Sequence, residues 1–233
     1  MDVGVRVEVP APLLEELTDA LYEFKLLYWS RTFDNLVRTF CVCPYGEVVA
    51  EKLEDIVIVN GHSYADRKTE NTNFALLVSS RFTEPFHEPI RYGKYIAGLA
   101  NLLGEGVLVQ RLGDLRRGRR TTEHRLTHGI VRPTLSSATP GDLSFVLPYR
   151  HLLAILEMIE ALDKLAPGVA EGHALLYGAE VKLYSSRVKV NTSLETEITG
   201  LYACGDGAGL TRGLVQASAS GRSAGKAVAG RLR

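Results

Sequence analysis

The clearest candidate for chemistry is a glycine-rich segment that holds one carboxylate. It reads Gly205-Asp206-Gly207-Ala208-Gly209 and follows a short apolar stretch, 201–204, which the pattern predicts to be a buried strand. A helix rich in small residues is predicted directly after it. A strand, a glycine turn and a helix in this order present backbone N–H groups to a polar or anionic ligand, and the carboxylate of Asp206 can accept hydrogen bonds from hydroxyl groups. A tight turn before a packed helix explains the same pattern equally well.

Three polar side chains in the first half of the chain are candidates for contact with a substrate. Asn60 and His62 lie where a predicted strand gives way to a polar loop, predicted over 61–73, and loops held by strands often contain catalytic groups. A histidine at such a place can donate a proton to a substrate, or it can cap the turn. Arg111 follows another predicted strand and precedes the arginine-rich run 116–120, which fits either an anion site or a solvated loop.

The three cysteines allow several interpretations. Cys41 and Cys43 stand two residues apart on a predicted strand, where residues two apart face the same side. The spacing permits a redox pair, a thiol close to a bound redox cofactor or half of a metal site, but neighbouring side chains of a strand make a strained disulfide, and no second cysteine pair exists. Buried structural cysteines are therefore the favoured interpretation, also for Cys204 in its apolar stretch. We expect no metal site.

Helical and extended patterns, which must position these residues, alternate along the chain. Apolar residues at steps of three and four indicate helices, and short runs of β-branched or alternating residues indicate strands. The mixture predicts a fold of mixed α and β class. The predicted helices are 12–28, 89–103 and 149–165, and the predicted strands are 3–9, 37–42, 47–50, 56–60, 74–82, 107–110, 176–184 and 187–190, the last two joined by a turn at Ser185-Ser186.

A boundary between two domains is predicted near Pro148. A polar stretch rich in arginine, glycine and proline ends there, and a strongly apolar helix begins. A chain of 233 residues has room for one large domain or two small ones. Residues 1–148 are then expected to form a sheet-rich domain of the type that binds a substrate, and residues 149–233 a second lobe.

The composition limits the classes of protein to which the chain can belong. Its 27 basic and 27 acidic residues cancel, and 45% of the residues are hydrophobic, which excludes a disordered chain and disfavours a nucleic-acid binder. No apolar run is long enough to span a bilayer, and the N-terminus lacks the features of a signal peptide. With three cysteines, a disulfide framework is not expected. We expect a soluble cytoplasmic protein with no membrane or nucleic-acid partner.

Longer stretches of the sequence resemble known flavoproteins. The stretch Thr199-Gly200-Leu201-Tyr202-Ala203-Cys204-Gly205-Asp206 resembles the second FAD-binding motif of the glutathione-reductase-type flavoproteins. More narrowly, the whole chain resembles the C-terminal half of the prokaryotic FAD-dependent dehydrogenases, also called NAD(FAD)-utilising dehydrogenases. The segments that resemble this family are VGVRVEVP at 3–10, RTFCVCPYGEVV at 38–49, VNGHSYADRKTENTNFALLV at 59–78, QRLGDLRRGRR at 110–120, ATPGDLSFVLPYRH at 138–151 and GDGAGLTRGLVQASASG at 205–221.

This resemblance implies a fold and a set of cofactor contacts. The second lobe is expected to be the C-terminal part of an FAD domain of the two-dinucleotide-binding type. Asp206 is implied to bind the ribityl chain, and the backbone amides of 212–215 to face negative charge on the flavin. Asn60, His62 and Arg111 stay the candidate catalytic residues toward a small-molecule substrate, with NAD(P)H as electron partner. The implied cofactor-binding residues are Gly205, Asp206, Gly207, Ala208, Arg212, Gly213, Leu214 and Val215.

One departure from the family's pattern limits this prediction. The N-terminal Gly-x-Gly-x-x-Gly segment, which holds the FAD pyrophosphate in that family, is absent from the sequence. We therefore expect a partial FAD-dependent oxidoreductase that binds FAD weakly or not at all as an isolated chain. The alternative is a non-catalytic truncated or split-gene subunit, which folds as a scaffold or pairs with a second chain or another copy that covers the missing lobe.

Overall fold

The structure, a computed structural model, describes residues 1–184 and 187–231, which form two compact units. The first unit is Met1–Lys182, and the second begins at Leu183. The strands, all in the first unit, are β1 (Asp2–Pro10), β2 (Leu27–Trp29), β3 (Leu36–Cys43), β4 (Glu47–Leu53), β5 (Ile56–His62), β6 (Asn71–Ser79), β7 (Leu108–Arg111), β8 (Thr139–Pro140) and β9 (Leu175–Lys182). The helices are α1 (Glu15–Ala20), α2 (Pro89–Gly104), α3 (Leu112–Arg116), α4 (Glu123–Thr127) and α5 (Tyr149–Leu162) in the first unit and α6 (Leu214–Arg231) in the second.

Most strands of the first unit form one sheet of seven strands, in the order β2-β3-β6-β1-β9-β7-β8. Neighbours are antiparallel except β7 and β8, and β4 and β5 form a separate antiparallel hairpin. Helix α5 packs against β1, β3 and β6, and α2 packs against β5, β7 and β9. A mixed sheet covered by helices confirms the mixed α and β class.

Strand β1 lies at the centre of the sheet and is buried on both faces. The valines at every second position, from Val3 to Val9, are at most 1% exposed. An alternation of apolar and polar residues usually marks a strand with one exposed face, yet Arg6 and Glu8 are also fully buried. The polar face of β1 is thus inside the molecule, where each charged group needs a partner.

The long helix predicted over 12–28 is wrong. Helix α1 ends at Ala20, and β2 follows after a short connection. The hydroxyl of Thr39 accepts a hydrogen bond from the N–H of Leu26 and donates one to the carbonyl of Phe24. These bonds turn the chain so that β2 pairs with β3, and this tertiary pairing outweighs the helical period of the apolar residues.

Most other predicted elements agree in type and differ in extent. Strand β5 continues to His62 and β6 begins at Asn71, so the polar loop is shorter than predicted over 61–73. The arginine-rich stretch contains α3 and α4, which its sequence pattern does not predict. In the described part of the chain, 187–190 is not a strand. The turn predicted at Ser185-Ser186 lies outside the described residues.

The two compact units divide between Lys182 and Leu183, which is C-terminal to the boundary predicted near Pro148. Both α5 and β9 lie in the first unit, because β9 pairs with β1 on one side and with β7 on the other. The apolar helix after Pro148 therefore covers the sheet of the first unit and does not start a second lobe.

The second unit is small and mostly exposed. Its extended structure, in the described residues, is an isolated bridge between Glu195 and Tyr202, so the buried strand predicted over 201–204 is wrong. Cys204, predicted to be buried, is exposed. Helix α6 exposes most of its length, with Ala224 as its buried residue. None of the helices in the described ranges is long and apolar enough to cross a membrane.

Candidate functional site

The glycine-rich segment of the second unit forms one 3-10 turn, Asp206–Ala208, between two left-handed glycines. Gly205 has φ +75° and Gly209 has φ +68°, a region of the backbone that favours glycine. A Cβ atom at Gly205 or Gly207 would meet no atom of residues 1–184 or 187–231 within 4 Å. The backbone conformation explains the first and last glycines, whereas Gly207 leaves open space over the turn.

Hydrogen bonds hold this turn on the start of α6. The N–H of Gly205 donates to the hydroxyl of Ser220 (2.9 Å), which itself donates to the carbonyl of Ala217 (2.8 Å). The hydroxyl of Thr211 donates to the carboxylate of Asp206 over 2.5 Å. Asp206 is exposed. The turn is therefore fixed to the helix, and it presents its carboxylate at the surface of the unit.

The first turn of α6 is the other part of this candidate cofactor site. Leu214 and Val215 are 89% and 79% exposed, and the helix itself provides no acceptor for the N–H groups of its first residues. The guanidinium of Arg212 lies 3.5 Å from the centre of the Tyr184 ring, a cation–π contact that places positive charge next to the helix start. Exposed N–H groups, the helix dipole and a cation suit an anionic or polar ligand.

Asn60 and His62, the candidate substrate residues of β5, have different surroundings. The amide oxygen of Asn60 accepts a hydrogen bond from Nη2 of Arg6 (3.3 Å), and its amide nitrogen donates to Glu51 (3.0 Å). His62 is exposed, and its ring meets the Tyr64 ring edge-on with 4.5 Å between centroids. Asn60 is thus held by two partners, and His62 is accessible to a small molecule.

Arg111, the third candidate, belongs to a different cluster. It ends β7, and its guanidinium lies 3.3 Å from Nδ1 of His173 and 4.0 Å from the carboxylate of Asp114. Asp114 is 1% exposed and also pairs with Arg119 at 2.9 Å. Nε of Arg111 is buried and has no hydrogen-bond partner among the described residues. The contacts of Arg111 are with these residues and not with the candidates on β5.

A buried ion-pair network around Arg6, which the sequence pattern does not predict, lies where β1, β6 and β9 meet β5. Arg6 and Glu180 are both 0% exposed, and Nε and Nη2 of Arg6 donate to the two carboxylate oxygens of Glu180 at 2.8 Å each. Nη1 of Arg6 donates to the amide oxygen of Asn73 (2.8 Å) and to the carbonyl of Cys41 (3.0 Å). Lys182 binds Glu180 at 2.8 Å. Two cations and one carboxylate leave net positive charge in this network.

Cys41 and Cys43 border the Arg6 network at an irregularity of β3. One extra residue lies between Phe40 and Cys43 relative to the partner strand β6, which makes a β-bulge, and Cys41 has φ +48°. The thiol of Cys43 donates to the carbonyl of Cys41 at 3.5 Å and lies 4.0 Å from Nη1 of Arg6. The sequence pattern predicts a regular strand at these two cysteines, whereas the bulge interrupts the regular backbone of β3 there.

The two thiols have opposite pKa shifts. The hydrogen bond with Cys43 lowers the pKa of Cys41 to about 6, and the charges of Arg6 and Lys182 act in the same direction. Burial and the charge of Glu180 oppose this shift without cancelling it. The same hydrogen bond, together with burial, raises the pKa of Cys43. Cys41 is the thiol of the pair that ionises first.

Glu8, on the same face of β1 as Arg6, has uncharged hydrogen-bond partners. The hydroxyl groups of Tyr177 and Thr134 donate to it at 2.5 Å each, and the amide of Asn71 donates at 3.0 Å. Burial raises the pKa of Glu8, and these hydrogen bonds offset only part of the effect. Burial and the charge of Glu8 raise the pKa of Tyr177. Glu8 therefore binds a proton at higher pH in the native protein than an exposed glutamate does.

One feature of the sequence points to these buried residues. Arg6 and Glu8 interrupt a run of alternating valines, and Glu180 is an acidic residue inside the apolar strand β9. Isolated charges in apolar strands must pair when both strands are central in a sheet. The order of the strands is not visible in the sequence period, so the pair is found only from the structure.

The histidines of the arginine-rich stretch lie on the surface. His124 and His128 stack with ring centroids 4.3 Å apart, and both are exposed. Within residues 1–184 and 187–231, no group of three or more histidine, cysteine, aspartate or glutamate side chains is arranged to hold a metal ion.

Comparison with known proteins gives two findings. A family model described as "FAD-dependent protein, C-terminal domain-like" matches residues 1–183, which is most of the chain. The chain is also 33% identical over 242 residues to an uncharacterised protein of Clostridium beijerinckii (strain ATCC 51743 / NCIMB 8052). That match covers 94% of this chain and 44% of the relative, so the chain spans less than half the length of this curated relative.

Proposed function

Because the chain belongs to the family of FAD-dependent proteins with this C-terminal domain, we propose that it is part of an FAD-dependent oxidoreductase. In this proposal the first unit supplies contacts to a small-molecule substrate, and the second unit supplies contacts to the flavin. The observation that supports the flavin contacts is the open glycine turn at 205–209, where Asp206 is exposed and none of the described residues has a side chain over Gly207.

The residues of the turn match a flavin in their donors and acceptors. Asp206 accepts hydrogen bonds from the ribityl hydroxyl groups, and the backbone N–H groups of 212–215 donate to the electron-rich pyrimidine edge. Gly205 and Gly207 let a large ligand approach the backbone, since a Cβ at either position would stand in open space. FAD, when bound, supplies the capacity to accept or donate a hydride. The chain's own part is to bind and orient the cofactor and to place positive charge beside it.

His62, Asn60 and Arg111 are the proposed substrate contacts. His62 is exposed at the end of β5 and can exchange a proton with a substrate. Asn60 is held by Arg6 at 3.3 Å, so it is a fixed hydrogen-bonding group at that strand end. We assign Arg111, whose Nε has no partner in the described residues, to an anionic group of the substrate. NADH or NADPH is the proposed electron partner.

A second candidate function is that of a non-catalytic subunit. Leu214 and Val215 at the start of α6 are 89% and 79% exposed, and Ile198 and Leu201 earlier in the unit are 65% and 50% exposed. Exposed apolar surface of this kind favours a partner that covers it. In this alternative a second chain with the dinucleotide-binding fingerprint, or another copy of this chain, covers the unit, and the chain itself is a scaffold.

Titration of the purified chain with FAD, followed by quenching of flavin fluorescence, tests the proposal. We expect weak but saturable binding, because the given sequence contains no Gly-x-Gly-x-x-Gly segment, which usually places a helix N-terminus against the pyrophosphate. Asp206→Ala is expected to bind about 10- to 150-fold more weakly, because a hydrogen bond to a charged group contributes about 1.5–3 kcal/mol. Thr211→Val, which removes the hydroxyl bound to Asp206 but keeps the carboxylate, is expected to change the affinity less.

The response to FAD tests the role of Asp206 and separates the two candidate functions. Affinity that is the same in Asp206→Ala and in the wild-type chain contradicts the role of Asp206, and Asp66→Ala, at an exposed aspartate of the first unit, is the control. A chain that unfolds cooperatively in urea but does not respond to FAD supports the non-catalytic subunit.

Where FAD binds, loss of its visible absorbance on addition of NADH or NADPH tests the electron partner.

A further inference from the structure

The backbone of segment 41–43, which carries two thiols, departs from a regular strand. In a regular strand, residues two apart share a face but stay about 7 Å apart, which exceeds the Cβ–Cβ separation of about 3.5–4.5 Å in a disulfide. The β-bulge and the φ of +48° at Cys41 break the extended backbone at this point. The Cys43 thiol reaches the carbonyl of Cys41 at 3.5 Å, so its side chain is folded back onto residue 41. The separation of about 7 Å in a regular strand therefore does not fix the distance between these two side chains.

The charges around the two thiols favour a thiolate. Arg6 is fully buried, with Nη1 at 4.0 Å from Sγ of Cys43 and 3.0 Å from the carbonyl of Cys41. Lys182 is the second cation that acts on Cys41, and Glu180, which binds both cations, is the acidic group that opposes them. Cations beside a thiol stabilise the ionised form, which is the form that attacks a disulfide.

Cys41 and Cys43 differ in access to solvent. Cys43 is 5% exposed, whereas Cys41 is only half-buried, so a reagent from solution reaches Cys41 first. Asn73, which pairs with Cys43 across β6, is fully buried, and its amide nitrogen has no hydrogen-bond partner in the described part of the chain.

We infer that Cys41 and Cys43 form a dithiol–disulfide couple that exchanges electrons with a small-molecule disulfide and does not need FAD. The thiolate of Cys41 attacks one sulfur of R–S–S–R, so that a mixed disulfide forms and one R–S⁻ leaves. The Cys43 thiol gives its proton to R–S⁻ and attacks Sγ of Cys41, which releases the second R–S⁻. That second thiolate takes the proton that Cys41 lost on ionisation. Two electrons pass from the two cysteines to the disulfide, and two R–SH are produced.

Counting of thiols and peptide mass spectrometry in a glutathione buffer test this inference. The experiment uses a Cys204→Ser background, because Cys204 is exposed and reacts on its own. Oxidised glutathione is expected to remove both remaining thiols together and to leave the peptide with Cys41 and Cys43 two hydrogens lighter, and dithiothreitol is expected to reverse the change. Cys43→Ser is expected to stop at a mixed disulfide of Cys41 with glutathione.

Two results of this experiment overturn the inference. One is the survival of both thiols in excess oxidised glutathione, and the other is a mixed disulfide that persists although Cys43 is present. Because no FAD is added, these results are independent of the proposed flavin site.

The pH dependence of alkylation separates a reactive thiolate from a buried structural cysteine. The rate at which iodoacetamide modifies Cys41 is expected to be half-maximal near pH 6, compared with about pH 8.5 for an ordinary cysteine. Cys43→Ala removes the hydrogen-bond donor and is expected to raise this midpoint by about one pH unit or more, whereas Cys43→Ser keeps a donor and is expected to restore part of the shift. Lys182→Gln is expected to raise the midpoint as well. A midpoint near pH 8.5 in the wild-type chain overturns the role of Cys41 as the attacking thiol.

Discussion

Arg6 and Glu180 are charged residues with no exposed side-chain surface. Because of this burial, a substitution of either residue changes the free energy of unfolding. Taking two charges out of water costs several kcal/mol each, and their attraction repays this only when the geometry is good and the remaining hydrogen bonds are made. Both conditions are met, because the contact is bidentate and because Asn73 and Lys182 bind the remaining groups. Removal of one partner of such a pair lowers the free energy of unfolding by more than formation of the whole pair raises it.

Glu180→Gln is therefore expected to lower the free energy of unfolding by about 3–5 kcal/mol, because the buried guanidinium of Arg6 loses its counter-charge. Glu88→Gln is the matched control, since it breaks an exposed pair with Arg91 and is expected to cost about 0–1 kcal/mol. Urea unfolding followed by the fluorescence of Trp29 measures both. Equal losses in the two variants contradict the special role of the buried pair.

The buried His151 is expected to make the stability of the first unit depend on pH. It is 3% exposed, its Nε2 lies 2.9 Å from the hydroxyl of Ser80, and burial, assisted by the charge of Arg150, lowers its pKa to about 4. The unfolded chain then binds more protons than the native one between about pH 6.5 and pH 4. Stability is therefore expected to fall as the pH is lowered through this window, by up to about 3 kcal/mol from this group.

His151→Gln removes this titration. Urea unfolding at pH 7 and pH 4.5 is expected to show a smaller loss of stability for the variant than for the wild-type chain. The same loss in both proteins contradicts the assignment, because the acid sensitivity then comes from other groups.

The elements differ in how far the sequence predicts them. The apolar periods of α2 and α5 locate both helices within a few residues, because each helix buries one face. The similar period over 12–28 fails, since the hydrogen bonds of Thr39 and the pairing of β2 with β3 are tertiary and leave no local pattern. The candidate site divides in the same way. The glycine turn at 205–209 can be predicted from its local sequence, whereas the partners of Arg6 cannot be predicted without the order of the strands.

Gly61 lies where β5 approaches the sheet so closely that a side chain has no room. A Cβ at this position would lie 2.2 Å from both Nη1 of Arg6 and Oδ1 of Asn73. Gly61→Ala is expected to destabilise the protein by about 1–3 kcal/mol, because the buried groups it meets cannot move away freely. Gly98→Ala in α2 is the control, since its Cβ meets nothing within 4 Å and a helical alanine is about 0.5–1 kcal/mol more favourable than glycine. Thermal unfolding measures both, and a Gly61→Ala variant as stable as the wild type contradicts the close contact.

At the scale of the whole molecule, the two units differ in how much of their surface is buried. The first unit contains the buried sheet, and the family model over 1–183 covers all of it. The second unit exposes Leu214, Val215 and most of α6. The chain covers 44% of its Clostridium beijerinckii relative. These facts fit the proposal that the exposed surface of the second unit is completed by bound cofactor and by further polypeptide.

The amide resonances of the isotope-labelled chain, recorded by NMR with and without FAD, test the flavin proposal most directly. We predict that the N–H signals of 205–216 shift as FAD is added, because these amides form the glycine turn and the first turn of α6. Riboflavin is expected to shift the same signals, since the ribityl chain and the ring are the parts assigned to this unit. The signals of β1 are expected to stay in place. Shifts confined to residues outside 205–216, or none at FAD concentrations that saturate fluorescence quenching, would contradict the assignment of the flavin to the glycine turn.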